Sequence, residues 1–180
     1  MSQNELKPFA LLAEFNTTRE VYHACEGIRD AGYSVWDAHT PFPVHGLDKA
    51  MGLSRSKVPW VSLVAGLTGA SLAFTLQWWI SVVAYPLVIS GKPYFSWQAF
   101  VPVTFEVGVL FAAFGAVLGM FHFNRIPQHY HPLFRSDRFS AATDDKFFIS
   151  IEVKDPKFNE ESTKALLTSL GAAHVEMVED

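Results

Sequence analysis

The run VPWVSLVAGLTGASLAFTLQWWISVVAYPLVISG, from Val58 to Gly91, holds 34 residues without one Asp, Glu, Lys or Arg. Lys92 follows, and from Pro93 to Asn124 the single charge is Glu106. A helix that crosses a bilayer needs about 20 mostly apolar residues, so each window is long enough for one span. Between them, Tyr85-Pro86 and Ser90-Gly91-Lys92-Pro93 have the chemistry of turns. The pattern predicts a transmembrane hairpin, with one helix from about Trp60 to Tyr85 and a second from about Trp97 to Phe121. Trp60, Trp78, Trp79, Tyr85, Tyr94 and Trp97 flank the spans as interfacial aromatics do. A secretory signal is excluded, because the run starts at Val58 after a segment patterned to fold. A soluble buried hairpin is the weaker alternative, since two adjacent long spans exceed what a small core needs.

Basic residues set the orientation. Lys49, Arg55 and Lys57 precede the first span and Arg125, Arg135 and Arg138 follow the second, whereas the connecting loop carries only Lys92. Both termini are therefore expected on the cytoplasmic side.

Outside the hairpin lie two similar arms. In the first, Phe9-Ala-Leu-Leu-Ala-Glu-Phe15 is a short apolar run suited to a buried strand. Thr17-Thr-Arg-Glu20 has the spacing of a capping box, and Val21, Ala24, Cys25 and Ile28 then recur on one helical face. Gly32 ends that helix, and Tyr33 to Ala38 reads as a strand. The second arm repeats the order. Lys146 to Val153 is a strand, and Asn159 caps a helix with Glu160 and Glu161 in its first turn. Ala165, Leu166 and Leu170 form that helix's expected apolar face, Gly171 ends it, and His174 to Val178 alternates as a strand. Two βαβ halves joined into one antiparallel four-stranded sheet make a ferredoxin-like, split βαβ arrangement. The fold class expected is α+β plus membrane: residues 1–57 as the first half and linker, 58–122 as the inserted hairpin, 123–145 as a juxtamembrane linker and 146–180 as the second half.

The whole chain of 180 residues is 49% hydrophobic and 14% aromatic but 18% charged, with net charge −4 and mean hydropathy +0.15. Soluble chains carry about 25% charged residues, so this one is neither disordered nor built for water alone. Its mild acidity argues against nucleic acid, whose phosphates require a basic face. One cysteine, Cys25, excludes a disulfide framework within the chain, CxxC zinc sites, cysteine-ligated iron–sulfur clusters and CxxCH haem attachment. No GxGxxG or GxxxxGK[ST] string offers a nucleotide site.

Several strings together resemble a known family. They are Phe9 to Phe15, Thr40-Pro-Phe-Pro-Val-His-Gly-Leu-Asp48, Ser90-Gly-Lys-Pro93, Phe100-Val-Pro-Val-Thr-Phe-Glu106 and Tyr130-His-Pro-Leu-Phe134. In this order, over nearly the whole chain, they look like the D subunit of bacterial alternative complex III, a quinol:electron-acceptor oxidoreductase. Ser90-Gly91 replaces the glycine pair associated with the family's loop. The resemblance implies a noncatalytic integral-membrane subunit of an electron-transfer complex, supporting assembly or proton movement. It also implies haem c and iron–sulfur clusters on partner subunits, none in this chain, and no quinol contact by this chain. The competing readings are a two-helix adaptor or sensor with a ferredoxin-like ligand-binding domain, and a small self-standing membrane enzyme or transporter using Glu106, which as a transporter would have to oligomerise.

Among single residues Glu106 is the sharpest, because a carboxylate inside a span is costly and marks function by default. Gln77 lies at similar depth, roughly 13 Å below the loop at 1.5 Å per residue. Glu106 is expected either to anchor by hydrogen bonds to Gln77 or a neighbouring subunit, or to relay protons. Gly66 and Ala70, Gly69 and Ala73, Gly108 and Ala112, and Gly115 and Gly119 have the four-residue spacing of close helix contacts. Two such faces on the first helix suggest one contact inside the hairpin and one with another protein. His122, His129 and His131 cluster beyond the second span, but Pro127 and Pro132 prevent a regular helical ligand pair. Tyr130, His131 and Pro132 are read as a docking segment for partners, His39 and His45 as loop residues, and Cys25 as core.

Overall fold

The computed structural model describes residues 7–180; residues 1–6, counted in the first half above, lie outside the described residues. In chain order the elements are β1 (Pro8–Phe15), α1 (Thr18–Ala31), β2 (Trp36–His39), a short α2 (Leu47–Ala50), α3 (Val58–Trp79), α4 (Trp97–Phe123), β3 (Phe147–Glu152), α5 (Glu160–Ser169) and β4 (His174–Glu179). They divide between two compact units. One takes the chain up to Ser54 together with His129–Asp180, and the other is Arg55–Gln128.

The first unit is one antiparallel sheet in the order β2-β3-β1-β4. Neither arm makes it alone. β1 lies between β3 and β4, with Ala13 opposite Ile149 on one side and Val175 on the other. β3 in turn separates β1 from β2. α1 begins where the capping box requires. Thr17 Oγ1 accepts from the Glu20 N–H at 3.2 Å, and the Glu20 carboxylate accepts from the N–H groups of Thr17 and Asn16. Gly32 closes the helix at φ +80°, a left-handed cap that glycine adopts without strain. Val21, Ala24, Cys25 and Ile28 are all fully buried. Asn159 Oδ1 accepts from the Ser162 N–H at 3.1 Å and starts α5. The apolar face of α5 differs from the expected one. Thr163 and Leu167 are its fully buried residues, whereas Ala165 is exposed. The shift places Thr163 Oγ1 3.0 Å from the Tyr33 hydroxyl. Tyr33 and Ser34 are thereby drawn toward α5 and its preceding turn, and β2 starts at Trp36.

Both faces of the sheet are covered. Leu11, Ala13, Phe15, Phe147, Ile149 and Ile151 point into one core with α1 and α5. Ala10, Leu12, Phe148 and Val178 point the other way, against Leu133, Phe139 and Ala142. Those last three come from two 3₁₀ turns, Pro132–Arg135 and Arg138–Thr143. The stretch 123–145, expected to be linker, is therefore divided. From His129 onward it folds with the sheet and forms its second cover.

The second unit is the α3–α4 hairpin. α3 starts at Val58 and gives way after Trp79 to a π-helical turn, Ile80–Ala84, which the Tyr85 N–H closes on the Ile80 carbonyl at 2.9 Å. α4 runs two residues past the expected end at Phe121. Both helices are long and apolar enough to cross a membrane, and their large side chains are mostly exposed: Trp60 is 70% accessible and Phe105 71%.

Candidate functional site

The seam of the hairpin is built from small residues. Gly66 faces Ala112 and the Gly108 backbone, and Gly108 faces Ala70. At Gly69 an added Cβ would come within 2.6 Å of Phe111 and 2.9 Å of the Val107 carbonyl oxygen. At Gly115 it would lie 2.6 Å from Ala65 Cβ, and at Gly119 it would meet Val61 at an ordinary 3.4 Å. Ala73 is buried as well. The Gly66 and Gly69 faces, expected to serve separate contacts, both meet α4, because removing side chains over two adjacent stripes lets the helices approach along a broad front.

Polar groups lock this seam. Ser62 Oγ donates to the Ala112 carbonyl at 2.9 Å. Gln77 Nε2 is shared among the Ala73 carbonyl at 3.1 Å, Thr104 Oγ1 at 3.2 Å and the Phe100 carbonyl at 3.3 Å. Above it Phe74, Phe95 and Phe100 meet edge to face with centroids 5.9–6.2 Å apart, and buried Ser96 donates to the Pro93 carbonyl. Gln77 therefore does not pair with Glu106. Its amide is taken up by the carbonyls and hydroxyl nearest the seam, while Glu106 lies on the exposed side of α4. Glu106 has no hydrogen-bond or ion-pair partner among the described residues.

The segment read as a docking surface is partly taken up within the chain. Pro132 is buried in the second cover of the sheet. His131 Nδ1 accepts from the Leu133 N–H at 3.4 Å and so caps the first 3₁₀ turn, while its ring meets Phe9 edge to face at 5.4 Å. Tyr130 remains half-exposed, its hydroxyl accepting from Arg135 Nε at 3.0 Å. His39 is no loop residue either. It ends β2, with Nε2 3.0 Å from Ser150 Oγ and its ring against Phe139. Burial holds the His39 imidazole below its ordinary value, opposed by Asp37 and reinforced by His131.

Residues 10–177 match the sequence family described as Alternative complex III, ActD subunit. The chain belongs to that family. No curated protein matches it. The strings Thr40–Asp48, Ser90–Pro93, Phe100–Glu106 and Tyr130–Phe134 all lie inside the ActD match. An ActD chain is a subunit of a multi-subunit complex, so its partners include the other subunits. Among the described residues no group of three or more His, Cys, Asp or Glu is placed to hold a metal ion.

One residue of this ActD chain escaped the sequence reading entirely. Asp155, only 5% accessible, accepts from the Ser34 N–H at 2.6 Å, the Val35 N–H at 2.7 Å, the Lys157 N–H at 2.8 Å and Ser34 Oγ at 3.1 Å. Burial works against its ionisation. The N–H groups of Lys157, Ser34 and Val35 and the Ser34 hydroxyl outweigh it and hold the carboxyl below the usual carboxylate range. Beside it Lys157 Nζ donates to the Ala31 carbonyl at the end of α1. A single turn of the second arm thus fastens the last turn of α1 and the entry to β2. The faint signal available was an acid beside Pro156 in a turn between a strand and a helix, which names no distant partner. Cys25 is buried as expected, and desolvation, with Asp37 and Glu26 adding to it, pushes its thiol up to about 12.

Proposed function

We propose that this chain is a noncatalytic integral-membrane subunit of a quinol-oxidising electron-transfer complex, and that its task is assembly. The observation that carries the reading is the ActD family match, which extends through the sheet unit and the hairpin alike. The exposed apolar flanks of α3 and α4 support a hairpin that spans the bacterial inner membrane twice. The excess of Lys and Arg beside the sheet-unit ends of the helices supports cytoplasmic termini. The order β2-β3-β1-β4, with α1 and α5 packed on one face, supports a ferredoxin-like cytoplasmic domain.

On this reading haem c and iron–sulfur clusters sit on partner subunits, and quinol binds elsewhere in the complex. A lone buried thiol with a raised pKa suits neither thiolate ligation nor redox exchange. The test is purification from native membranes in mild detergent, with an optical spectrum and subunit identification. The chain should emerge with haem-bearing and cluster-bearing subunits, and its deletion should lower the yield of assembled complex. Isolation as a homo-oligomer without such partners would overturn the proposal.

A further inference from the structure

Glu106 lies nine residues into α4 after Trp97, about 13 Å along the helix at 1.5 Å per residue. It is exposed on the hairpin surface, it has no hydrogen-bond or ion-pair partner among the described residues, and the Gln77 amide is committed to the seam at the level of Phe100 and Thr104. One turn earlier on the same face stands Pro102, which has no N–H to offer the Gln98 carbonyl. The Glu106 carboxylate and the freed Gln98 carbonyl are thus two acceptors on one strip of α4, and the Gln98 amide, eight residues from Glu106, lies about 12 Å from it along the helix. Hydrocarbon supplies no donor, and an isolated intramembrane carboxylate is costly.

We infer that the Glu106 face of α4 docks a transmembrane helix of another subunit that presents an Arg, Lys or His side chain to the carboxylate. This rests on the proposal above that the chain is a membrane subunit. Charge complementarity selects the occupant. A second copy of this chain does not fit, because from Val58 to Asn124 its only Lys or Arg is Lys92 in the loop. His122 stands 16 residues from Glu106, about 24 Å along the helix.

The experiment uses the full chain in its complex in native membranes. A photoreactive phenylalanine analogue replaces Glu106 or Leu110, with Leu63 of α3 as a comparison site. Crosslinks from 106 and 110 should map to one other subunit, within a helical turn of an Arg, Lys or His. Co-purification with that subunit in mild detergent should fall roughly tenfold for Glu106→Leu and further for Glu106→Lys, which sets like charges together. Glu106→Gln should lie between wild type and Glu106→Leu. Reversing the partner's crosslinked cation to Glu should restore retention of Glu106→Lys. Glu106 is exposed and bonds to no seam residue, so the amount of chain in the membrane fraction should stay constant across the series. Crosslinks to lipid or to a second copy, or Glu106→Leu retained as well as wild type, would overturn the inference while leaving the subunit reading intact. Failure of the wild-type chain to co-purify with any other subunit would overturn the subunit reading itself.

Discussion

Replacing Asp155 with asparagine exchanges one carboxylate oxygen for an amide while keeping the shape of the side chain. Oδ2 takes three bonds, from the Ser34 N–H, the Ser34 hydroxyl and the Val35 N–H, and Oδ1 takes the fourth from the Lys157 N–H. The best orientation of the new amide keeps its one oxygen toward Ser34 and Val35 and turns its NH₂ toward the Lys157 N–H. Bonds to a charged acceptor contribute about 1.5–3 kcal/mol and neutral ones about 0.5–1.5 kcal/mol, so three bonds weaken and one donor loses its acceptor. Removing a buried charge offsets part of the loss, and the net cost is about 2–3 kcal/mol. Cys25, the only thiol, is wholly buried between α1 and the sheet, and at neutral pH its raised pKa keeps it protonated. It reacts when the sheet unit opens, so its alkylation rate follows the population of the open form. At 1.4 kcal/mol per tenfold, the Asp155→Asn variant of the full chain should be alkylated roughly 30- to 150-fold faster. The sign of the pH dependence follows from the depressed carboxyl. Its contribution is present above the unfolded value of about 3.9 and is lost as pH falls through the folded value. The gap between wild type and variant, read with a pyridyl disulfide that reacts in acid, should therefore narrow below that point. A rate within threefold of wild type, or a gap that stays constant into acid, would refute the staple.

His39 gives the opposite case of a base held neutral, so opening of the sheet unit should increase as pH falls below the unfolded value of about 6.5. His39→Gln, which keeps a partner for Ser150, should flatten that part of the Cys25 alkylation profile. Gly69→Ala should destabilise the hairpin by about 1–3 kcal/mol and Gly119→Ala should be nearly neutral. A denaturing-detergent titration followed by tryptophan emission reads the difference, since four of the five tryptophans lie in the hairpin unit. Glu106→Gln should leave quinol oxidation by the assembled complex near wild type; loss of proton coupling in proteoliposomes with normal assembly would instead assign Glu106 to a relay. With both termini inside, Lys92 should be the one lysine modified by an impermeant amine reagent on intact cells, and modification of Lys157 there would reverse the orientation.

What was legible beforehand was whatever depends on neighbours in sequence. The Thr17 and Asn159 caps, the buried face of α1, the glycine stops and the two apolar spans are all decided within a turn or two of chain. That the two arms share one antiparallel four-stranded sheet followed from the repeated βαβ pattern, because each arm alone would leave an apolar face wet. The second cover of the sheet was legible in principle and was missed. Ala10, Leu11, Leu12 and Ala13 are buried without alternation, and so are Phe147 to Ile151, which means that both faces must be covered. α1 and α5 account for one face, so the balance had to come from elsewhere in the chain. Leu133, Phe139 and Ala142 supply it from 3₁₀ turns too short to show a period. The Gln77 bonds and the Asp155 staple were not legible. Gln77 reaches residues 23 and 27 positions away and Asp155 reaches 120 and 121, and such partners are chosen by packing rather than by spacing. Glu106 differs from both. Its depth was readable from the sequence, and what the fold adds is that every polar group of the seam has already been assigned elsewhere. A carboxylate left over on the outer face of a packed hairpin is costly in hydrocarbon, and that cost is the ground for the partner helix proposed above.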